Sequence, residues 1–208
     1  MKARFLFASC LLAVLALVLV TPASVIPAPA AEKEEKQKSE KFGALAYMPS
    51  GAGPAMVGAG TRVNVDIWVD RYTDDAQAKT MAAALLEGGS PALLKQLEDA
   101  KTIGKIRLTG RVGFYDFKLI RQHRSEGGRR IWLIGDRPVG FLEVYAGNRS
   151  QDYPFGILQL DLKTNSKGKE EGTGSLIYAG KIKVLEGNNI ELETYGIEPI
   201  RLLGVRKL

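Results

Sequence analysis

The chain has 208 residues, with 29 Lys and Arg against 23 Asp and Glu, a formal net charge of +6, one Cys and one His. One cysteine excludes an internal disulfide and a CxxC motif, and one histidine excludes a multi-histidine zinc site. The mild positive charge suits anionic head groups or cell-wall polymers weakly and is ordinary for a soluble protein.

Lys2 and Arg4 precede the apolar run Phe5 to Val20, and Ala28-Pro29-Ala30 follows before Ala31. A basic start, an apolar middle and a small-residue exit predict a secretory signal peptide over 1–30, cleaved after Ala30. A cut near Ala23 is the alternative exit. An uncleaved anchor is the other alternative, although the run of 16 residues is just under the roughly 17–25 needed to span. Cys10 comes too early to be a lipid-modified N-terminal cysteine, and it reads as one more apolar residue. With Lys2 and Arg4 removed, 27 cations face 23 acids, a net +4. Export without disulfides fits a bacterial periplasmic or secreted setting, and export disfavours nucleic acid as a partner.

Residues 31–60 read as a lead-in to the folded domain. EKEEKQKSEK, 32–41, alternates both charge signs and is a solvated spacer. FGALAYMPSGAGPAMVGAG, 42–60, is rich in Gly, Ala and Pro without periodicity. Its GAGPAMVGAG fails as a dinucleotide fingerprint, because Met56 stands where a third glycine is required after Gly51 and Gly53.

The domain is expected over 61–208. Val63, Val65, Ile67 and Val69 alternate with polar residues, which predicts a half-buried strand. Trp68 breaks the polar face and marks a second contact surface. A helical pair follows. Thr73 or Asp74 caps the first helix, with Gln77 completing a capping-box pattern. Ala78, Met81, Ala82 and Leu85 form its apolar stripe, and Gly88-Gly89 ends it. Ser90 caps the second helix with Pro91 at its first position, and Leu93, Leu94 and Leu97 form its buried side. From Ile103 onward short apolar alternations recur between turn residues. Gly127-Gly128 signals a hairpin. Gly135-Asp136-Arg137-Pro138 supplies turn chemistry between Trp132–Ile134 and a strand from Val139. Further runs cover 139–146, 155–162, 176–184, 190–192 and 200–205, with a polar loop at 163–172 and a tight turn at Gly187-Asn188-Asn189. These eight or nine strands predict an α+β fold: a mostly antiparallel, strongly curved sheet or flattened β-barrel with an inserted helical pair. The helices must cover one face or plug one end.

Catalytic motifs are absent. Gly174-Ser175 lacks the glycines of a nucleophile elbow, Gly104-Lys105 is followed by Ile106 and so is no phosphate-binding loop, and no HExxH occurs. His123 has no partner motif and reads as a surface residue rather than a catalytic base. Arg121, His123, Arg124, Arg129 and Arg130 gather at one hairpin tip. Such a cluster can bind phosphate, sulfate or carboxylate, or it can be an ordinary solvated hairpin. Asp136, Glu143 and Asp152 flank one run, with Arg137 or Arg149 as partners. Paired carboxylates in a cleft serve glycoside hydrolysis or metal binding, whereas a structural ion pair is the plainer reading.

GGRRIWLIGDRPVGFLEVY with RSQDYPFGILQLDL resembles a stretch of a family of exported bacterial proteins that has no established activity, as do RYTDD and YGIEPIRLLGV. The resemblance covers 61–208 and implies a shared envelope domain, with Asp136, Arg137, Pro138, Glu143, Asp152, Tyr153 and Pro154 at the matching positions. The expected function is a non-catalytic exported module that binds a ligand or partner: an apolar small molecule, an anionic lipid or cell-wall polymer, or an envelope protein. The alternative is a hydrolase using carboxylates near 136–152. No cofactor and no metal are expected.

Overall fold

The computed structural model describes residues 38–49, 60–140, 152–185, 189–194 and 198–208. The expected leader, residues 32–37 of the spacer, the Gly51–Met56 stretch, Glu143, Arg149 and Gly187-Asn188 lie outside them.

The sheet begins earlier than Thr61. β1, Glu40–Tyr47, turns Phe42, Ala44 and Ala46 inward. It is flanked on both sides, by β2, Arg62–Val69, and by β10, Ile200–Lys207. Eight residues of the expected lead-in thus form an interior strand. Small inward alanines leave little hydrophobic signal, so the segment reads as loop.

The remaining strands are β3 (Gly104–Leu108), β4 (Tyr115–Phe117), β5 (Leu119–Ser125), β6 (Gly128–Ile134), β7 (Phe155–Thr164), β8 (Glu170–Val184) and β9 (Ile190–Thr194). All pairings are antiparallel, in the order β4-β3-β2-β1-β10-β8-β7-β6-β5, with β9 added to β8. The two ends of this path, β4 and β5, are joined through Lys118 alone, and Lys118 N–H donates to Ile134 at 3.0 Å. Thr73, just past β2, brackets Ile120 of β5. Its N–H donates to the Ile120 carbonyl at 2.9 Å, and its hydroxyl accepts from Ile120 N–H at 2.9 Å. The sheet therefore curls into a nearly closed barrel.

The barrel interior is packed. Phe42, Ile67, Phe117, Ile120, Leu133 and Leu158 are among its fully buried side chains. β10 keeps its inward phase through a bulge. Register shifts against both neighbours bracket Leu203-Gly204, so Ile200, Leu202 and Val205 all face inward. Gly204 takes φ 57 there, a left-handed conformation that favours glycine.

The expected helical pair is one helical element, α1, Asp75–Asp99. Asp74 caps it, accepting from Gln77 N–H at 2.7 Å. Gly89 breaks it with φ 65 and ψ −160, and Pro91 lies inside it. Ser90 does not cap a second helix. Its hydroxyl donates to the Ile182 carbonyl and accepts from Ile182 N–H at 3.2 Å. β7 and β9 both pair at Gly180, on opposite sides of β8, and β7 goes no further. Ser90 thereby occupies the backbone edge that β7 leaves open. Met81, Leu85, Leu93 and Leu97 pack on the outer face of the barrel, against Leu119, Trp132, Ile134, Ile157 and Ile182.

β6 pairs with β7 and not with a strand from Val139. Gly135 N–H donates to Gly156, and Gly156 N–H donates to Arg137. Pro138 has no N–H to give, and Val139 N–H donates to the Tyr178 carbonyl at 2.7 Å, at the bulge where β8 carries an extra residue. The Gly135–Pro138 segment thus crosses the start of β7. Gly156 permits the crossing, since a Cβ there would meet the Val139 side chain and the Arg137 carbonyl.

Candidate functional site

The arginine hairpin is β5–β6, with Ser125 opposite Gly128 and Gly127 at φ 78 in the turn. Strand alternation divides its charges between two faces. Arg129 is in phase with Ile131 and Leu133 and points into the barrel mouth, where Arg124 also lies. Arg121, His123 and Arg130 are in phase with Trp132 on the outside.

Arg129 is 8% exposed and closes the mouth. Its Nε and Nη2 donate to both oxygens of Glu170 at 2.7 Å each. Nη2 and Nη1 reach Glu40 at 2.9 and 3.0 Å, and Nη1 also meets Tyr72 Oη and Gln122 Oε1 at 3.0 Å. Tyr72 Oη donates to Glu40 at 2.6 Å, and Lys207 Nζ donates to Glu40 at 2.5 Å. Two cations balance two carboxylates, which is the condition under which burial is tolerated. Burial pushes the Glu40 carboxyl up. The hydrogen bonds from Arg129, Lys207 and Tyr72 more than offset it and hold the pKa at about 2, against an ordinary 4.5. Burial and the adjacent Glu40 carboxylate push the Tyr72 hydroxyl well above its ordinary value. Arg129 stays charged, because its bonds to Glu40 and Glu170 outweigh its burial.

Acids also engage Arg121 and Arg130. Arg121 Nη2 pairs with Asp75 at 2.7 Å while Nη1 donates to the Thr73 carbonyl at 2.8 Å, and Arg130 pairs with Asp161. Asp136 pairs with Lys118 at 3.0 Å. Arg137 turns to Asp116 at 3.8 Å and the Phe114 carbonyl at 3.3 Å. Asp152 is exposed. Glu143 lies outside the described residues, so the pairing expected for it with Arg137 is not on view. Among the described residues no three His, Cys, Asp or Glu side chains gather as a metal site.

The most distinctive place was not legible as a motif. Between α1 and the outer barrel face lies a narrow apolar crevice of about 40 Å³, lined by Met81, Leu85, Leu93, Trp132, Ile134 and Ile182. Arg121 and Trp132, cross-strand partners, both line it. Trp132 is 5% exposed, and its Nε1–H is buried without an acceptor. Arg121 Nε is buried and unpartnered too. Each such donor costs about 1–3 kcal/mol. Both residues line the crevice, but the two donor atoms are sealed from solvent, so the crevice presents an almost wholly apolar surface. The sequence signal was the run Ile131–Ile134, apolar on both faces, which shows that something covers the outside of β6.

No family model, curated protein or solved structure matches the chain.

Proposed function

We propose that the protein is a non-catalytic binding module for a small amphiphile, exported under the direction of its N-terminal segment. The occupant sits between α1 and β5–β8, not inside the barrel, whose interior is filled by its own side chains. An outward shift of α1 would bring the acceptor end, a carboxylate or carbonyl, to the Trp132 Nε1–H and Arg121 Nε donors, which the closed crevice seals from solvent. The apolar body lies along Met81, Leu85 and Leu93. The carrying observation is the pair of unpartnered donors. Of the carboxylates near 136–152, Asp136 is already held by Lys118. The resemblance to exported bacterial proteins fits the same setting.

A fluorescent acyl carboxylate, dansyl-undecanoic acid, tests it by titration. Saturable binding is expected, with quenching of tryptophan emission. Trp132→Phe keeps an aromatic ring but removes the donor together with part of the ring system, so affinity should fall about two- to tenfold. Ala82→Trp fills the crevice and should abolish binding while the fold persists by circular dichroism. Absence of saturable binding, or equal binding by the filled variant, sinks the proposal.

A further inference from the structure

A different face of the barrel carries an arrangement that the crevice does not explain. In the sheet register Trp68 stands between Lys41 of β1 and Lys105 of β3. The Lys41 and Lys105 ammonium groups lie 5.2 and 5.7 Å from the centre of its ring, and the Arg107 guanidinium lies at 5.0 Å. Phe114 meets the same indole edge-on, with centroids 5.7 Å apart and planes at 71°. Lys105 and Arg107 are also 5.1 and 5.3 Å from the Phe114 ring. Asp66 pairs there with Lys41 at 3.8 Å and Arg107 at 3.4 Å, and Asp116, opposite Lys105 in the register, pairs with Arg137 at 3.8 Å.

Next to this cluster the β3–β4 connection projects outward. Gly110 and Gly113, at φ 77 and φ 102, turn the backbone. Between them Arg111 is exposed and Val112 is fully presented to solvent, and Phe114 is 41% exposed. Arg137 braces the base of this loop through the Phe114 carbonyl. The helix covers the outer face of β5–β8 and not this one, so the aromatic pair, the cations and the apolar tip share one accessible surface.

We propose that this surface docks on an anionic lipid bilayer, with Val112 and Phe114 entering the head-group region. Charge complementarity argues for an anionic partner, since Lys41, Lys105, Arg107, Arg111 and Arg137 outnumber the acids Asp66 and Asp116 on this face. The fully exposed valine argues for a layer with an apolar interior, because a soluble polyanion offers a valine tip nothing to enter. Aromatic rings ringed by cations suit the interface itself. The rings take the boundary between hydrocarbon and head group, and the long cationic stems reach back to the phosphates. Among the described residues no helix is long and apolar enough to cross a membrane. This contact is independent of the crevice.

Flotation with vesicles tests the idea on the chain with residues 1–37 removed, in a Trp132→Phe background that leaves Trp68 as the reporter. Binding is expected to phosphatidylcholine vesicles containing phosphatidylglycerol and not to phosphatidylcholine alone. It should weaken with salt, and Trp68 emission should shift to the blue. Lys105→Gln with Arg111→Gln should weaken binding about fivefold per charge. Val112→Ser touches only solvent in the free protein, so its effect cannot come from misfolding. It should lower binding severalfold, and more when combined with Phe114→Ser. No flotation with anionic vesicles overturns the proposal. So does vesicle binding that is indifferent to Val112→Ser and competed away by heparin, which would assign the face to a soluble polyanion.

Discussion

Arg129 shows how much one side chain can organise. It lies in phase with two core residues, and its guanidinium is satisfied by groups from β1, β5 and β8 and by Tyr72 between β2 and α1. The consequence is measurable through Glu40. Its carboxyl falls from 4.5 to about 2 on folding, so between those values the unfolded chain binds more protons than the folded one. Stability from this group is therefore complete above about pH 5 and is lost as pH falls towards 2. With allowance for solvent at the mouth, the loss is about 2 kcal/mol. Urea unfolding across this range should show the decline, and Glu40→Gln should lack that share of it. Identical pH slopes in the two proteins would refute the assignment.

Among the elements, α1 is held where its break falls. Gly89 turns the chain, and Ser90 then seals the edge of β8 through both polar groups of Ile182. Ser90→Ala leaves those groups unpaired and should cost about 1–3 kcal/mol. Hydrogen exchange should quicken in α1 and at residues 181–184, while the amides of β1 and β2 keep their protection. A uniform loss across the barrel would contradict this division. The same scale shows what local pattern conveys. β2 was legible because Val63, Val65, Ile67 and Val69 alternate without interruption. β1 was not, since its inward residues include two alanines and Gly43 reads as a breaker. The single helical element looked like two because Gly88-Gly89 and Ser90-Pro91 are genuine stop and start signals, here used for a bend. The candidate site was legible only in part. The phase of Arg129 with Ile131 announces its burial, but Glu40 is 89 residues away, and no local spacing announces that contact. The unpartnered donors of Arg121 and Trp132 depend on how α1 lies across them, which is a tertiary fact.

For the whole molecule, ring closure rests on pairing the most distant strands. β1 sits between β2 and β10, so a chain lacking residues 1–48 would expose two open strand edges. Such edges invite association with other chains. That chain should elute as oligomers and lose its cooperative melting transition, whereas one lacking only residues 1–37 should remain monomeric and melt sharply. Equal melting of the two would show that β1 is dispensable.

The β1–β10 seam also has a mechanical meaning. The strands are antiparallel and Phe42 lies opposite Lys207, so the upstream end of β1 and the downstream end of β10 emerge side by side. A load applied across those two points would act perpendicular to the strands. It would part the seam like a zip, one hydrogen bond after another, and would never have to shear the whole ladder at once. A pull on the β5–β6 turn against β1 would meet the Arg129 clasp first. Along the line joining the first and last strands, the Lys207–Glu40 pair, which spans the open end of the seam, is the first contact to be broken.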